Sequence, residues 1–93
     1  MNWSHELYTL LEEQNDTLSS ICIKQNGEDT FIHPGHPQFF REFDGGFGGT
    51  EGCPFTAWGK KNVYFPAQYD GSEWIEYVPR NPTHKTTLHV GGG

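Results

Sequence analysis

The chain has 93 residues, and its 12 acidic and 6 basic side chains give a formal charge of -6 at pH 7. A chain of this length holds one hydrophobic core and excludes a deep cleft between two domains. We therefore predict a single small domain over residues 1–93, compact over about residues 1–80 and extended or frayed over 81–93. The negative charge repels phosphate groups, so direct binding to nucleic acid or to an anionic membrane is not expected.

The sequence contains no stretch close to the ~20 apolar residues that a membrane span requires. Its first residues also lack the basic and apolar regions of a secretion signal. We therefore expect a soluble, cytoplasmic protein.

The first predicted element is an amphipathic helix over about residues 3–14, with Asn2 or Ser4 as its N-cap. Its apolar positions recur at helical spacing and include Trp3, Leu7, Leu10 and Leu11. Acidic residues crowd the other end, at Glu12, Glu13 and Asp16. The helix dipole disfavours negative charge there, so these carboxylates either only increase solubility or form a patch for a cationic partner.

The next signal is Asn26-Gly27, the preferred dipeptide of a two-residue type I′ β-hairpin. A hairpin closed by this turn pairs Ile23 with Thr30 and Ile21 with Ile32. The resulting isoleucine face should pack against the leucines of the helix.

A second short helix over residues 38–43 is predicted after the turn at 33–37, because Pro37 suits its first turn and Gly45 its end. Residues 44–52 are dense in glycine. They lack the Gly-Lys-Ser/Thr ending of a phosphate-binding loop, so we predict a close-packing loop.

The last region predicts a β-meander with strands over residues 55–58, 62–68 and 73–78. A two-residue turn at Asp70-Gly71 pairs Phe65 with Glu76 and Tyr64 with Tyr77. One face of this hairpin then carries Val63, Phe65, Trp74 and Val78, and the other carries Tyr64, Pro66, Ile75 and Tyr77. We expect the tyrosine face to stay partly open, the alternative being that it is covered by Phe39, Phe40, Phe43 and Phe47.

These elements predict an α+β fold, with the N-terminal helix packed on a small antiparallel sheet made of the Asn-Gly hairpin and the C-terminal meander. The weak candidates for a metal site are His33 and His36, and a small zinc-binding protein is one functional alternative. Cys22 and Cys53 have no metal-binding or nucleophile spacing, and we expect buried thiols, with a disulfide between them as the alternative. No catalytic motif is present, so we predict neither an enzyme nor a cofactor.

Charge and aromatic content favour a small acidic protein-binding module, an inhibitor or adaptor that docks on a basic surface of a partner protein. The analogy is with the small acidic proteins of phages and mobile elements that inhibit host nucleases, such as anti-CRISPR and anti-restriction proteins. The candidate partner-binding residues are Tyr64, Tyr77, Trp74, Asp70, Glu73 and Glu76. The alternative is a module for carbohydrates or other small ligands that uses Trp58, Tyr69 and Trp74, and a homo-oligomer is compatible with either function.

Overall fold

A computed structural model describes residues 1–33, 35–37, 39–43 and 52–89. These residues form one α-helix, α1 (Trp3–Glu13), a 3₁₀ turn at Leu18–Ser20, and four β-strands. The strands are β1 (Cys22–Gln25), β2 (Phe55–Trp58), β3 (Asn62–Tyr69) and β4 (Ser72–Pro79), joined in the order β1-β2-β3-β4 in one antiparallel sheet. The predicted α+β class is therefore confirmed. The glycine-dense segment up to residue 51, with Phe47, lies outside the described residues.

Helix α1 begins and ends within a residue of its predicted bounds. The side-chain oxygen of Asn2 accepts the His5 backbone N–H at 2.7 Å, which satisfies one of the free donors at the helix start. Trp3, Leu7 and Leu11 are buried. In the part of the chain that the structure describes, no helix has the length and apolar character needed to span a bilayer.

The hairpin of β3 and β4 has the predicted register, which is confirmed at Tyr64 with Tyr77 and at Phe65 with Glu76. Its turn residues Asp70 and Gly71 have φ angles of 50° and 85°. Positive φ at both central residues is the requirement of a type I′ turn, and this turn fixes the pairing of all the residues that follow it.

The hairpin predicted at Asn26-Gly27 is wrong. Of the two turn residues, only Gly27 has a positive φ angle, 90°. The Glu28 N–H donates to the Gln25 carbonyl at 3.1 Å, so this is a type II turn. The chain then returns as an isolated bridge between Ile23 and Ile32, so Thr30 does not lie opposite Ile23. This longer connection places two isoleucines side by side in the interior, whereas the tight hairpin would have placed a threonine there.

The second short helix is also absent among residues 39–43, where the chain forms turns. The backbone groups of residues 39–43 bond to the N-terminal segment: the Ser4 N–H donates to Phe39 O at 3.1 Å, and the Phe43 N–H donates to Met1 O at 2.9 Å. Hydrogen bonds to another segment replace the internal ones that a helix would need.

The core lies between α1 and one face of the sheet, which we call the covered face. Its sheet residues include Ile23, Phe55, Ala57, Tyr64 and Ile75, and its other members include Trp3, Leu7, Leu11, Phe39 and Phe43. Phe39 packs edge-on against Phe55 with ring centroids 5.0 Å apart, and the ring centroids of Trp3 and Phe43 are 4.8 Å apart. The tyrosine face expected to stay open is thus the buried one, because α1 and two phenylalanines of the middle segment lie on it.

Candidate protein-binding surface

The opposite side of the sheet, which we call the open face, has no helix packed on it among the described residues. Alternation along each strand assigns it Cys22, Lys24, Thr56, Trp58, Val63, Phe65, Ala67, Tyr69, Ser72, Trp74, Glu76 and Val78. Apart from exposed Tyr69, the apolar members in β2, β3 and β4 are half-buried, whereas most of the residues that alternate with them are buried. Half-exposed rings thus lie in three neighbouring strands, at Trp58, Phe65 and Trp74. Apolar surface that is not enclosed by the fold is typical of a contact site.

The aromatic rings of the open face extend beyond the strands. Phe31 is 64% exposed and stands edge-on against Trp58, with ring centroids 6.0 Å apart and an interplanar angle of 80°. Phe31 lies between Thr30 and Ile32 in the returning half of the hairpin predicted at Asn26-Gly27, and it was not among the candidate binding residues. It reaches the open face because it is adjacent to Ile32, which pairs with Ile23 on the covered face, and successive side chains of an extended chain point to opposite sides.

A shallow groove of about 400 Å³ adjoins these rings at one edge of the open face. Its walls include Trp58, Pro54, Thr56 and Lys24, together with the turn at residues 26–28. At the other edge, the Trp74 indole Nε1–H donates to the Glu76 carboxylate at 3.1 Å. This bond holds one indole ring in place on β4 and leaves its apolar surface half-exposed.

The predicted partner-binding residues divide between the two faces. Trp74 and Glu76 lie on the open face, and Asp70 is exposed in the turn beside it. The others lie on the covered side: Tyr64 is fully buried, and its ring centroid is 6.0 Å from that of half-buried Tyr77. The predicted cluster is therefore not one continuous surface.

Glu73 is also buried, and its Oε1 accepts the Gly52 backbone N–H at 2.8 Å. Glu73 therefore lies on the covered side and is not part of a rim around the open face. The acidic rim predicted from Asp70, Glu73 and Glu76 thus keeps two of its three members.

Asp16 has a structural role that the sequence did not reveal. Its carboxylate accepts the backbone N–H groups of Lys60 at 3.0 Å and of Lys61 and Asn62 at 3.3 Å each, and the Tyr64 hydroxyl at 2.8 Å. Partial burial of this carboxylate raises its pKa, but the hydrogen bonds from Tyr64 and the neighbouring backbone together outweigh burial, and the pKa of Asp16 lies below its usual range. The bonds fix the turn between β2 and β3 at the edge of the open face.

The same contact affects Tyr64. Burial raises the pKa of the Tyr64 hydroxyl well above its usual range. The bond from Asn62 lowers this pKa and the negative charge of Asp16 raises it further. Tyr64 is therefore a neutral donor in the core.

The weak metal candidates do not form a cluster. His33 Nδ1 accepts the Gly35 backbone N–H at 3.2 Å, and the backbone N–H of His36 donates to the His33 carbonyl at 2.9 Å. Over residues 1–33, 35–37, 39–43 and 52–89, no three His, Cys, Asp or Glu side chains lie close enough together to hold a metal ion.

Both cysteines are free thiols. Cys22 is exposed on the open face, so the prediction that it is buried is wrong. Cys53 is half-buried, with its sulfur near the carbonyl oxygens of Asn26 and Pro54.

A second apolar groove, of about 360 Å³, lies on the outer side of α1 and not on the sheet. It is lined by Ser4, His5, Tyr8, Leu18, His33, Gly35 and Phe40. Phe40 is 51% exposed, which is comparable to Phe31 on the open face. This groove supplies a matched control position for experiments on the open face.

Comparisons of the chain with protein-family models, with curated proteins and with solved structures found no match. The surface itself is therefore the basis for assigning a function. A half-exposed apolar sheet face suits contact with another molecule.

Proposed function

We propose that this chain is a small acidic protein-binding module, an inhibitor or adaptor, that docks its open face on a partner protein with a basic surface. The observation that carries the proposal is the half-exposed surface of Trp58, Phe65 and Trp74, extended by exposed Phe31. Large aromatic side chains dominate the binding energy of protein interfaces because they bury much area and lose little conformational freedom.

Net charge supports a basic partner. The 12 acidic side chains exceed the 6 basic ones, and a charge of -6 attracts a basic protein over roughly the ~8 Å Debye length at physiological salt. Asp70 and Glu76 place part of that charge at the open face itself. Charge of this kind mainly accelerates association, while the aromatic contacts set the lifetime of the complex.

The test is affinity capture from a lysate of the native host, followed by mass spectrometry, with matched variants of the bait. Trp58→Ala and Trp74→Ala should each weaken binding of the captured partner at least about 30-fold, the effect of removing an interface hot spot. Phe40→Ala removes a more exposed ring from the groove on α1 and should leave the affinity unchanged.

Circular dichroism and thermal unfolding of each variant establish that the fold is intact. Equal binding by wild type, Trp58→Ala and Trp74→Ala would contradict docking through the open face. The purified partner then shows whether the protein blocks its activity or only recruits it, which separates an inhibitor from an adaptor.

One alternative has a specific observation in its favour. Trp58, Tyr69 and Trp74, the rings proposed to stack on sugars, all lie on the open face, and Tyr69 is 57% exposed. Flat aromatic rings on one side of a sheet suit carbohydrate binding equally well. Quenching of tryptophan fluorescence by soluble oligosaccharides, without capture of a protein partner, would favour this alternative.

A further inference from the structure

We propose that the open face binds a partner segment in one orientation only, with an acidic group of the segment at one end of the sheet and a basic group at the other. This inference rests on the proposed function and adds the chemistry of the partner. It derives from the unequal distribution of charge along the strands, which net charge alone conceals.

The basic group lies at the end of the sheet formed by the turn between β2 and β3, which we call the loop end. Lys60 and Lys61 occupy that turn, and Arg80 follows β4 at the same end. The Arg80 backbone N–H donates to Lys61 O at 2.9 Å, and its guanidinium Nη1 donates to Gly59 O at 2.9 Å. Three of the six basic residues of the chain therefore lie in or beside this turn, together with the Asp16 carboxylate.

The carboxylate of Asp16 does not cancel this charge by pairing with a lysine side chain. It bonds to backbone N–H groups of the turn and to the Tyr64 hydroxyl, which belongs to the covered face. The side chains of Lys60 and Lys61 are exposed and have no carboxylate partner among the described residues. Their ammonium groups are thus available to an acidic group of a partner.

The acidic group lies at the opposite end, which we call the hairpin end. There the Asp70-Gly71 turn connects β3 to β4, and the turn at residues 26–28 contributes one acidic residue and precedes another. The acidic residues at this end are Glu28, Asp29 and Asp70. Lys24 is the nearby cation, on edge strand β1, so the strongest contrast in charge follows the hairpin of β3 and β4.

Apolar residues separate the two ends. Val63 lies opposite Val78 near the loop end, and Ala67 lies opposite Trp74 near the hairpin end. Phe65 lies between them opposite Glu76, whose carboxylate is bonded to the Trp74 indole N–H. Strand β3 has 8 residues, and at about 3.4 Å per residue it spans about 25 Å. The matching partner is an extended segment of about eight residues with an acidic end, an apolar middle and a basic end.

The test uses a synthetic eight-residue peptide with two glutamates, four apolar residues including one tryptophan, and two lysines, in that order. A nitroxide spin label is attached to the glutamate end in one preparation and to the lysine end in another. Nuclear magnetic resonance of ¹⁵N-labelled protein at low salt then reports which backbone amide signals each label broadens.

We expect a label on the glutamate end to broaden Lys60 and Lys61, and a label on the lysine end to broaden Asp70 and Gly71. The preferred orientation should exceed the reverse about fivefold, because exposed ion pairs each contribute little. Lys60→Gln with Lys61→Gln should abolish the preference. Arg41→Gln, which removes an exposed cation that lies over Phe43 on the covered side, should preserve it.

Two outcomes would separate the inference from the function on which it rests. A peptide that binds the open face with equal broadening of both ends by either label would overturn the inference and leave the docking proposal intact. Broadening confined to Tyr8 and Phe40, on the groove of α1, would overturn both.

Discussion

Removing the Asp16 carboxylate tests how the turn between β2 and β3 is held. In Asp16→Ala, the Tyr64 hydroxyl and the Asn62 backbone N–H lose their acceptor in partly buried positions, while the exposed N–H groups of Lys60 and Lys61 can bond to water. A donor left unsatisfied in a buried position costs about 1–3 kcal/mol. We therefore expect a loss of about 3 kcal/mol in the free energy of unfolding, equivalent to a fall of roughly 15 °C in Tm for a domain of this size.

Gly59 provides an independent check on the same contact. The three nearest atoms to a Cβ at this position all belong to the Asp16 side chain, and the carboxylate would have to move aside. Gly59→Ala should therefore destabilise the wild-type protein but have little effect in the Asp16→Ala background. Urea unfolding of the four proteins gives a coupling energy, for which we expect at least about 1 kcal/mol. Additive effects of the two substitutions would refute the reasoning.

The charge of Asp16 adds a pH dependence of predictable sign. Because its pKa is lower in the folded protein than in the unfolded chain, the carboxylate stabilises the fold above the unfolded pKa, and this stabilisation is lost as the pH falls through the folded value. Asp16→Asn keeps the shape and removes the charge. The difference in stability between wild type and Asp16→Asn should be constant from pH 7 to about 5 and should shrink below about pH 4. A difference that persists undiminished at pH 3 would contradict a role for the charge.

Two further substitutions test the packing of the core. A Cβ added at Gly52 would lie 2.5 Å from Trp3 Cζ2 and 2.9 Å from Glu73 Oε1. Gly52→Ala should therefore destabilise the protein by about 1–3 kcal/mol in urea unfolding. An unchanged unfolding midpoint would contradict this close packing. The buried Gln25 Oε1 has no hydrogen-bond partner among the described residues. Gln25→Met should raise Tm, because a methionine of similar shape removes this unsatisfied acceptor, which costs about 1 kcal/mol. A lower Tm would show that the amide is needed.

The reliable part of the sequence analysis came from short-range patterns. The α1 leucines and the Asn2 cap predict a helix without any knowledge of its neighbours. The Asp70-Gly71 turn specifies the register of β3 and β4, because two adjacent residues with positive φ permit one geometry of connection. That register also separates the tyrosines from Phe65 and Trp74 correctly.

The candidate site was predicted only in part, since the two faces of the hairpin are equally apolar. Residue types alone favoured Tyr64 and Tyr77 for a partly solvent-exposed surface. The Tyr64 hydroxyl instead donates to the carboxylate of Asp16, 48 positions away in the sequence. A contact between such distant residues leaves no local trace. Trp58 and Trp74 were already candidates from the sequence, whereas half-exposed Phe65 was not and emerges only from the packing.

The Asn26-Gly27 turn shows the same limit in the backbone. Its composition favours a tight hairpin, but β1 pairs with β2, about 30 positions along the chain, and Ile32 takes the place beside Ile23.

By itself, the sequence determined the fold class, the first helix and the alternation of the C-terminal hairpin, because each depends on periodicity and on turns of a few residues. Tertiary structure alone decided which side of the sheet is buried and which charges gather at its ends. Both depend on where α1 and the Phe39–Phe43 segment pack, and that packing is selected by the total burial of apolar surface over the whole chain.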